Sequence, residues 1–230
     1  MSEGTTKGHP CLRPRLCRGW VWGRGRAGVG AEVEILNRSA DWRALSLNGP
    51  RARDILGACT PADLSNAGFR WLAAQAIDIA GHRLRALCRS CAGALGWECH
   101  GDQPGDHTAC RAIRATGRAH GSFNYGPFAM NVMCMDKGFK AVGELTNAVI
   151  LPEAGVMHLV KFDRGFTGKT ATRAALERGG PRWRCVCLEV AADGRSDGNS
   201  GEAVLSNGRQ VGRVSATACG SSAAKLLALA

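Results

Sequence analysis

Short runs of alternating apolar and polar residues occupy the first half of the chain. "AEVEIL" (31–36) and "WRALSL" (42–47) alternate in the manner of half-buried strands. "AIDIAGHRLRALCRS" (76–90) reads as two strands joined at Gly81, and "LGWECHG" (95–101) as a third. Between them, "NGPRARDIL" (48–56) has a helix-start signature, with Asn48 as the cap and Pro50 in the first turn. "GPFAMNVMCMDKGF" (126–139) predicts a short helix in which Phe128, Val132 and Met135 share a face and Gly138 is the stop. Its methionines read as core filling.

The last third changes character. "GFTGKTATRAALERGG" (165–180) is a helix ended by paired glycines, and "RCVCLEVAA", "EAVLS" and "QVGRVSATA" follow as strands. The turn "SNGR" between the last two is a hairpin signal, because Asn207-Gly208 readily takes the positive φ values of a type I′ turn. The expected class is α+β, with residues 1–30 a poorly ordered tail, residues 31–160 one α+β domain and residues 161–230 a small antiparallel, β-barrel-like domain. The tail has no apolar period. Its "GRGRAG" (23–28) satisfies G-x-G-x-x-G, but lacks the preceding strand and following helix that dinucleotide binding requires.

Composition adds three constraints. No apolar run approaches the roughly 18 residues of a membrane span, and the start has no apolar stretch of the secretory kind, so a cytoplasmic protein is expected. The net charge of +11 suits polyanionic partners, yet the arginines are scattered from Arg13 to Arg213 without a basic block, which reads as a solvated surface rather than a nucleic-acid interface. Eleven cysteines, an odd number, read as reduced thiols rather than a disulfide framework. A single tyrosine stands against six tryptophans and six phenylalanines.

Metal chemistry is the first candidate. Cys88 and Cys91, with Cys99, His100, His107 or Cys110, have the residue types of a zinc site. Cys88 and Cys91 lie three apart, however, which on an extended strand places them on opposite faces. Cys185 and Cys187 do share a face, as alternating small core residues would. No metal site is expected.

The same stretch has a more specific reading. "SCAGALGWECHG" (90–101) resembles the S-Y-x-G-E-x-G-W-E-L segment of the aminomethyltransferase (glycine cleavage T-protein) superfamily, and most closely the folate-binding half of the FAD-dependent dimethylglycine and sarcosine dehydrogenases. "LNGPRARDIL", "DLSNAGFRWLAAQAIDIAG", "AMNVMCMDKGFKAVGELTNAVILPEAG", "VKFDRGFTGK" and "DGNSGEAVLSNGRQVG" agree in order, over about residues 33–230. The resemblance implies a partial T-protein-like folate-binding fold, with tetrahydrofolate as ligand and FAD only in a front part of the relatives that has no counterpart here. It implies that Glu98 binds the pterin ring, a task that suits a carboxylate able to accept two parallel hydrogen bonds.

The departures are equally specific. Cys91 stands where the family has tyrosine, Ala94 where it has glutamate, Cys134 where it has arginine, and Asp136 where it has glutamate; Cys187 and Cys219 also occupy tyrosine positions. Cysteine at tyrosine positions accounts for the aromatic imbalance. The resemblance thus gives Glu98, Cys91 and Asp136 as the folate-site positions and no catalytic residue, because the family's catalytic aspartate belongs to the front part. The expected protein is the folate-binding portion of a dimethylglycine/sarcosine dehydrogenase-like enzyme of one-carbon metabolism, with weakened or lost tetrahydrofolate binding and no independent catalysis. A separate chain would supply the FAD domain. The alternative is a non-catalytic binding or assembly module that keeps the fold without folate chemistry.

Overall fold

A computed structural model describes residues 38–90, 92–141, 143–146, 148–191, 198–220 and 224–230. The strand expected at 31–36, the 1–30 tail with its glycine motif, and Cys91 lie outside these residues. The chain divides into two compact units, one reaching Ser90 and taking in Ala94–Phe123, the other formed mainly by Asn124–Ala230. Residue 160, taken from the sequence as a domain boundary, lies within the second unit.

The first unit is an antiparallel sheet with helices on one face. β1 (Trp42–Asn48), β2 (Ala74–Ile79), β3 (His82–Cys88) and β4 (Gly96–Asp102) are arranged in the order β1-β4-β3-β2. The β2–β3 hairpin turns on Ala80-Gly81, both at positive φ (51° and 81°), the conformation a two-residue type I′ turn demands. Helix α1 (Ala52–Gly57) and helix α2 (Gln103–Gly117) contribute Ala52, Leu56 and Ala109 to a core shared with Phe69, Ile77, Ile79, Leu84, Ala86, Cys88, Trp97 and Cys99.

Two expectations change here. α1 begins at Ala52 with Arg51 in the cap position, not at Asn48, because Asn48 is the last residue of β1, paired with Gly96, and donates its side-chain amide to Ser46 Oγ at 2.7 Å. The strand ladder outcompetes the cap. α2 was not foreseen at all. Its start is fixed by Asp102, whose carboxylate accepts from Gly105 N at 2.9 Å, with a proline in the first turn.

The second unit contains helix α3 (Pro127–Asp136), helix α4 (Lys169–Glu177) and strands β5 (Cys187–Val190), β6 (Ala203–Ser206), β7 (Arg209–Arg213), β8 (Ala216–Gly220) and β9 (Lys225–Leu229). Among the described residues the strands form a three-stranded sheet, β5-β9-β8, and a separate β6–β7 hairpin turning on Asn207-Gly208, rather than one closed barrel. The segment read as a single strand, 210–218, is broken between β7 and β8 at Val214 and Ser215.

α3 buries Met135 with Ala218 and Leu229, and Val132, Cys185 and Ala216 pack around them. Phe128 does not join that face: it is 86% exposed in the first turn of α3. Cys187 is exposed too, so only Cys185 behaves as the small core residue expected of the pair. A buried carboxylate, Glu144, ties the unit together. It accepts from Ala141 N (2.7 Å) and from Ser215 Oγ (2.6 Å), just where the sheet strand is interrupted.

Candidate functional site

Alternation along β4 divides its chemistry between the two faces of the sheet. Trp97 and Cys99 point into the helix-covered core with Leu45 and Leu47 of β1 and Ala86 and Cys88 of β3, their cross-strand partners. Glu98 and His100 therefore stand on the other face. There Glu98 lies between Ser46 and Leu87, and His100 between Ala44 and Arg85. Most of this face is open: Ala44, Ser46, Ala74, Ala76 and Asp78 are exposed.

The backbone carrying Glu98 is held firmly. Trp97 is fully buried, meets Phe69 edge-on with ring centroids 6.3 Å apart, and has the Arg53 guanidinium 6.0 Å from its ring centroid. Gly96 fits because a Cβ there would collide with the Asn48 side chain and the Leu47 carbonyl of β1. The G-W-E run is thus a packing device that presents a carboxylate.

That carboxylate is held at both oxygens. Arg89 Nε lies 3.2 Å from Glu98 Oε1, and His100 Nε2 lies 3.6 Å from Oε2, an ion-pair distance too long for a hydrogen bond. The Glu98 side chain keeps 22% of its surface exposed, whereas His100 keeps 2%. His100 Nδ1 is buried and has no hydrogen-bond partner among the described residues. Beneath this face, burial pushes the Cys99 thiol up to about 12, reinforced by the negative charges of Asp106 and Glu98. Burial also raises Asp106, against the opposing charges of Arg43, His100 and His107.

Of the three positions implied by the sequence, Glu98 lies on the open sheet face of the first unit. Asp136 ends α3 in the second unit, half-buried, in the same helix as Cys134. Cys91 lies outside the described residues. Among those residues no three His, Cys, Asp or Glu side chains converge as metal ligands would, and Cys88 and Cys99 are core thiols. A recess of about 540 Å³ at the start of α2, lined by Arg43, Gln103, Pro104, Asp106 and His107, contains none of the implied site residues.

Sequence reasoning missed Arg89 as a partner of Glu98 and considered His100 only as a zinc ligand. Both were open to inference once β4 was a strand: residue 100 shares the face of residue 98, and residue 89 lies two beyond Leu87, the cross-strand neighbour of Glu98.

Comparison with known proteins identifies the class. The GCVT N-terminal domain family matches residues 18–164, and the chain belongs to this family. It is 33% identical over 204 residues to human mitochondrial dimethylglycine dehydrogenase, covering 87% of this chain and 23% of that protein. It is 35% identical over 191 residues to mouse mitochondrial sarcosine dehydrogenase (79% and 20%), and 31% identical over 189 residues to an aminomethyltransferase of Anoxybacillus flavithermus (81% and 51%). The chain therefore spans about a fifth to a quarter of the length of the dehydrogenases it matches.

Proposed function

We propose that this chain is a folate-binding module of the aminomethyltransferase type, with Glu98 as the acceptor for the pterin ring. One observation supports this reading above the others. Glu98 is presented on an open sheet face, oriented through both oxygens by Arg89 and His100, and still accessible. A carboxylate fixed in this way is ready to accept paired N–H donors without first being ordered. Arg85 and the exposed Arg83 lie on the same face, and their charge suits the anionic tail of a folate.

When bound, tetrahydrofolate captures a one-carbon unit; the chain's own residues bind and orient it. Oxidation of an N-methyl amine needs a flavin site, which a separate chain or a further region would supply. The cysteines at family tyrosine and arginine positions favour a second reading, a module that keeps the fold but not the ligand. Cys134, half-buried in α3, cannot replace the fork of charged donors that an arginine gives.

Titration of tetrahydrofolate into the wild type, Glu98→Ala and Glu98→Gln separates these readings. Loss of two hydrogen bonds to a charged acceptor, at about 1.5–3 kcal/mol each, lowers the affinity of Glu98→Ala on the order of 100-fold or more, with Glu98→Gln intermediate. Equal binding by wild type and Glu98→Ala would remove Glu98 as the anchor. No binding by the wild type at millimolar ligand establishes the empty scaffold.

A further inference from the structure

Arginines that lie scattered in the sequence are gathered by the fold into one row. On α2, His107, Arg111, Arg114 and Arg118 recur at spacings of four, three and four, which places them on one narrow stripe of the helix. All four are exposed, and the stripe lies opposite Gly105 and Ala109, which are buried. At a rise of about 1.5 Å per residue the row is about 16 Å long. Arg118 keeps it straight: although it caps α2, its backbone stays helical, at φ −55° and ψ −43°. We infer that this stripe is a docking surface for a single-stranded nucleic acid, with phosphates on the arginines and a base stacked on Phe123. It lies on the helix-covered side of the sheet, away from Glu98, and is independent of the folate reading.

Three observations lead to it. The row is not neutralised: among the described residues none of its three guanidinium groups has an ion-pair or hydrogen-bond partner. No aspartate or glutamate occurs from His107 to Met135. At the start of α2, Asp102 serves as the cap and Asp106 has one oxygen buried. Like charges at these spacings repel one another along a helix, a cost that a polyanion relieves. The chemistry also suits phosphate. Residues 38–123 contain arginine but no lysine, and the positions flanking the stripe are small (Thr108, Cys110, Ala115), so a phosphate backbone can approach the helix and meet planar guanidinium forks. Finally, the two ends of the row differ. At one, the recess of about 540 Å³ adds the guanidinium of Arg43. At the other, the chain turns at Gly121 (φ 67°) and leaves Phe123 83% exposed, an open π-face on which a base can stack. A lipid surface fits less well, because the apolar side of α2 (Ala109, Ala112, Ile113) is committed to the core and cannot enter a bilayer.

The test is fluorescence anisotropy of labelled single-stranded RNA and DNA, about 20 nucleotides long, titrated with the full chain between about 50 mM and about 200 mM salt. Three arginine–phosphate contacts contribute about −2 to the log–log salt slope, or roughly 20-fold weaker binding across that range. Arg111→Ala/Arg114→Ala/Arg118→Ala should remove that contribution and weaken binding at low salt by about tenfold or more. Arg178→Ala/Arg209→Ala/Arg213→Ala removes the same charge from exposed positions of the second unit and should change neither quantity. Phe123→Ala should weaken binding on the order of fivefold or more at an unchanged salt slope. Equal effects of the two triple variants would show that net charge alone binds, and overturn the inference. So would wild-type affinity in Phe123→Ala, equal affinity for a duplex, or a wild type that binds phosphatidylserine vesicles but no oligonucleotide. If the stripe variant does not fold, Arg114→Ala decides alone, with an expected change in slope of about 0.7.

Discussion

Alkaline pH should destabilise the first unit through Cys99, and by a predictable amount. Its thiol, 1% exposed between the sheet and α2, ionises near pH 12 in the folded protein, against about 8.5 for an unfolded cysteine. A raised folded-state value means that the unfolded chain loses its proton first. Above pH 8.5 the unfolded state binds fewer protons, so stability falls as pH rises, and it falls until the folded thiol itself titrates. From pH 7 to pH 10 the unfolded thiol ionises by about 1.5 pH units beyond its midpoint while the buried one stays neutral, a loss of about 2 kcal/mol. The assay is urea unfolding followed by tryptophan fluorescence at both pH values, in the wild type and in Cys99→Ala. The alanine variant starts less stable, because a small cavity replaces the sulfur, but lacks this contribution. The difference between the two proteins should narrow by about 2 kcal/mol at pH 10, since lysine, tyrosine and the other thiols contribute equally to both. Parallel losses in wild type and variant would refute the reasoning and show that Cys99 is not sealed from solvent.

Two further outcomes concern stability. Glu144→Ala should cost about 2–4 kcal/mol in the second unit, because two hydrogen bonds to a buried carboxylate disappear and Ala141 N is orphaned; an unfolding free energy within about 0.5 kcal/mol of wild type would contradict this. Ala80→Asn should stabilise by about 0.5–1 kcal/mol, since asparagine tolerates the left-handed conformation that alanine is forced into at φ 51°, and an unchanged or lower melting temperature in calorimetry would count against that account.

The β2–β3–β4 meander was legible in the sequence because each of its signals is local. Alternation sets the faces, Gly81 sets the turn, and the G-W-E run marks the third strand. Asn48 was misread because one side chain can serve either a cap or a strand end, and the choice was made by Gly96, far away in sequence. α2 escaped notice because Gly101, Pro104 and Gly105 crowd its start and mask the cap at Asp102. Phe128 shows the limit of periodicity, which gives spacing along a helix but not which residues find a partner. The site was half legible. Glu98 came from its resemblance to a family motif, whereas Arg89 and His100 became its partners only through strand register, which no single segment contains.

The position of β1 sets an order on assembly. β2, β3 and β4 follow one another along the chain and pair with their neighbours, so their contacts close short loops. Among the described residues β1 pairs only with β4, across the whole of α1 and the β2–β3 hairpin, and is an edge strand. Long closures cost more chain entropy and form later. The side of the sheet where Ser46 flanks Glu98 is therefore the last part of the face to be completed and the first to open. Glu98, His100 and Arg89 instead belong to β4 and the end of β3, the portion that folds early.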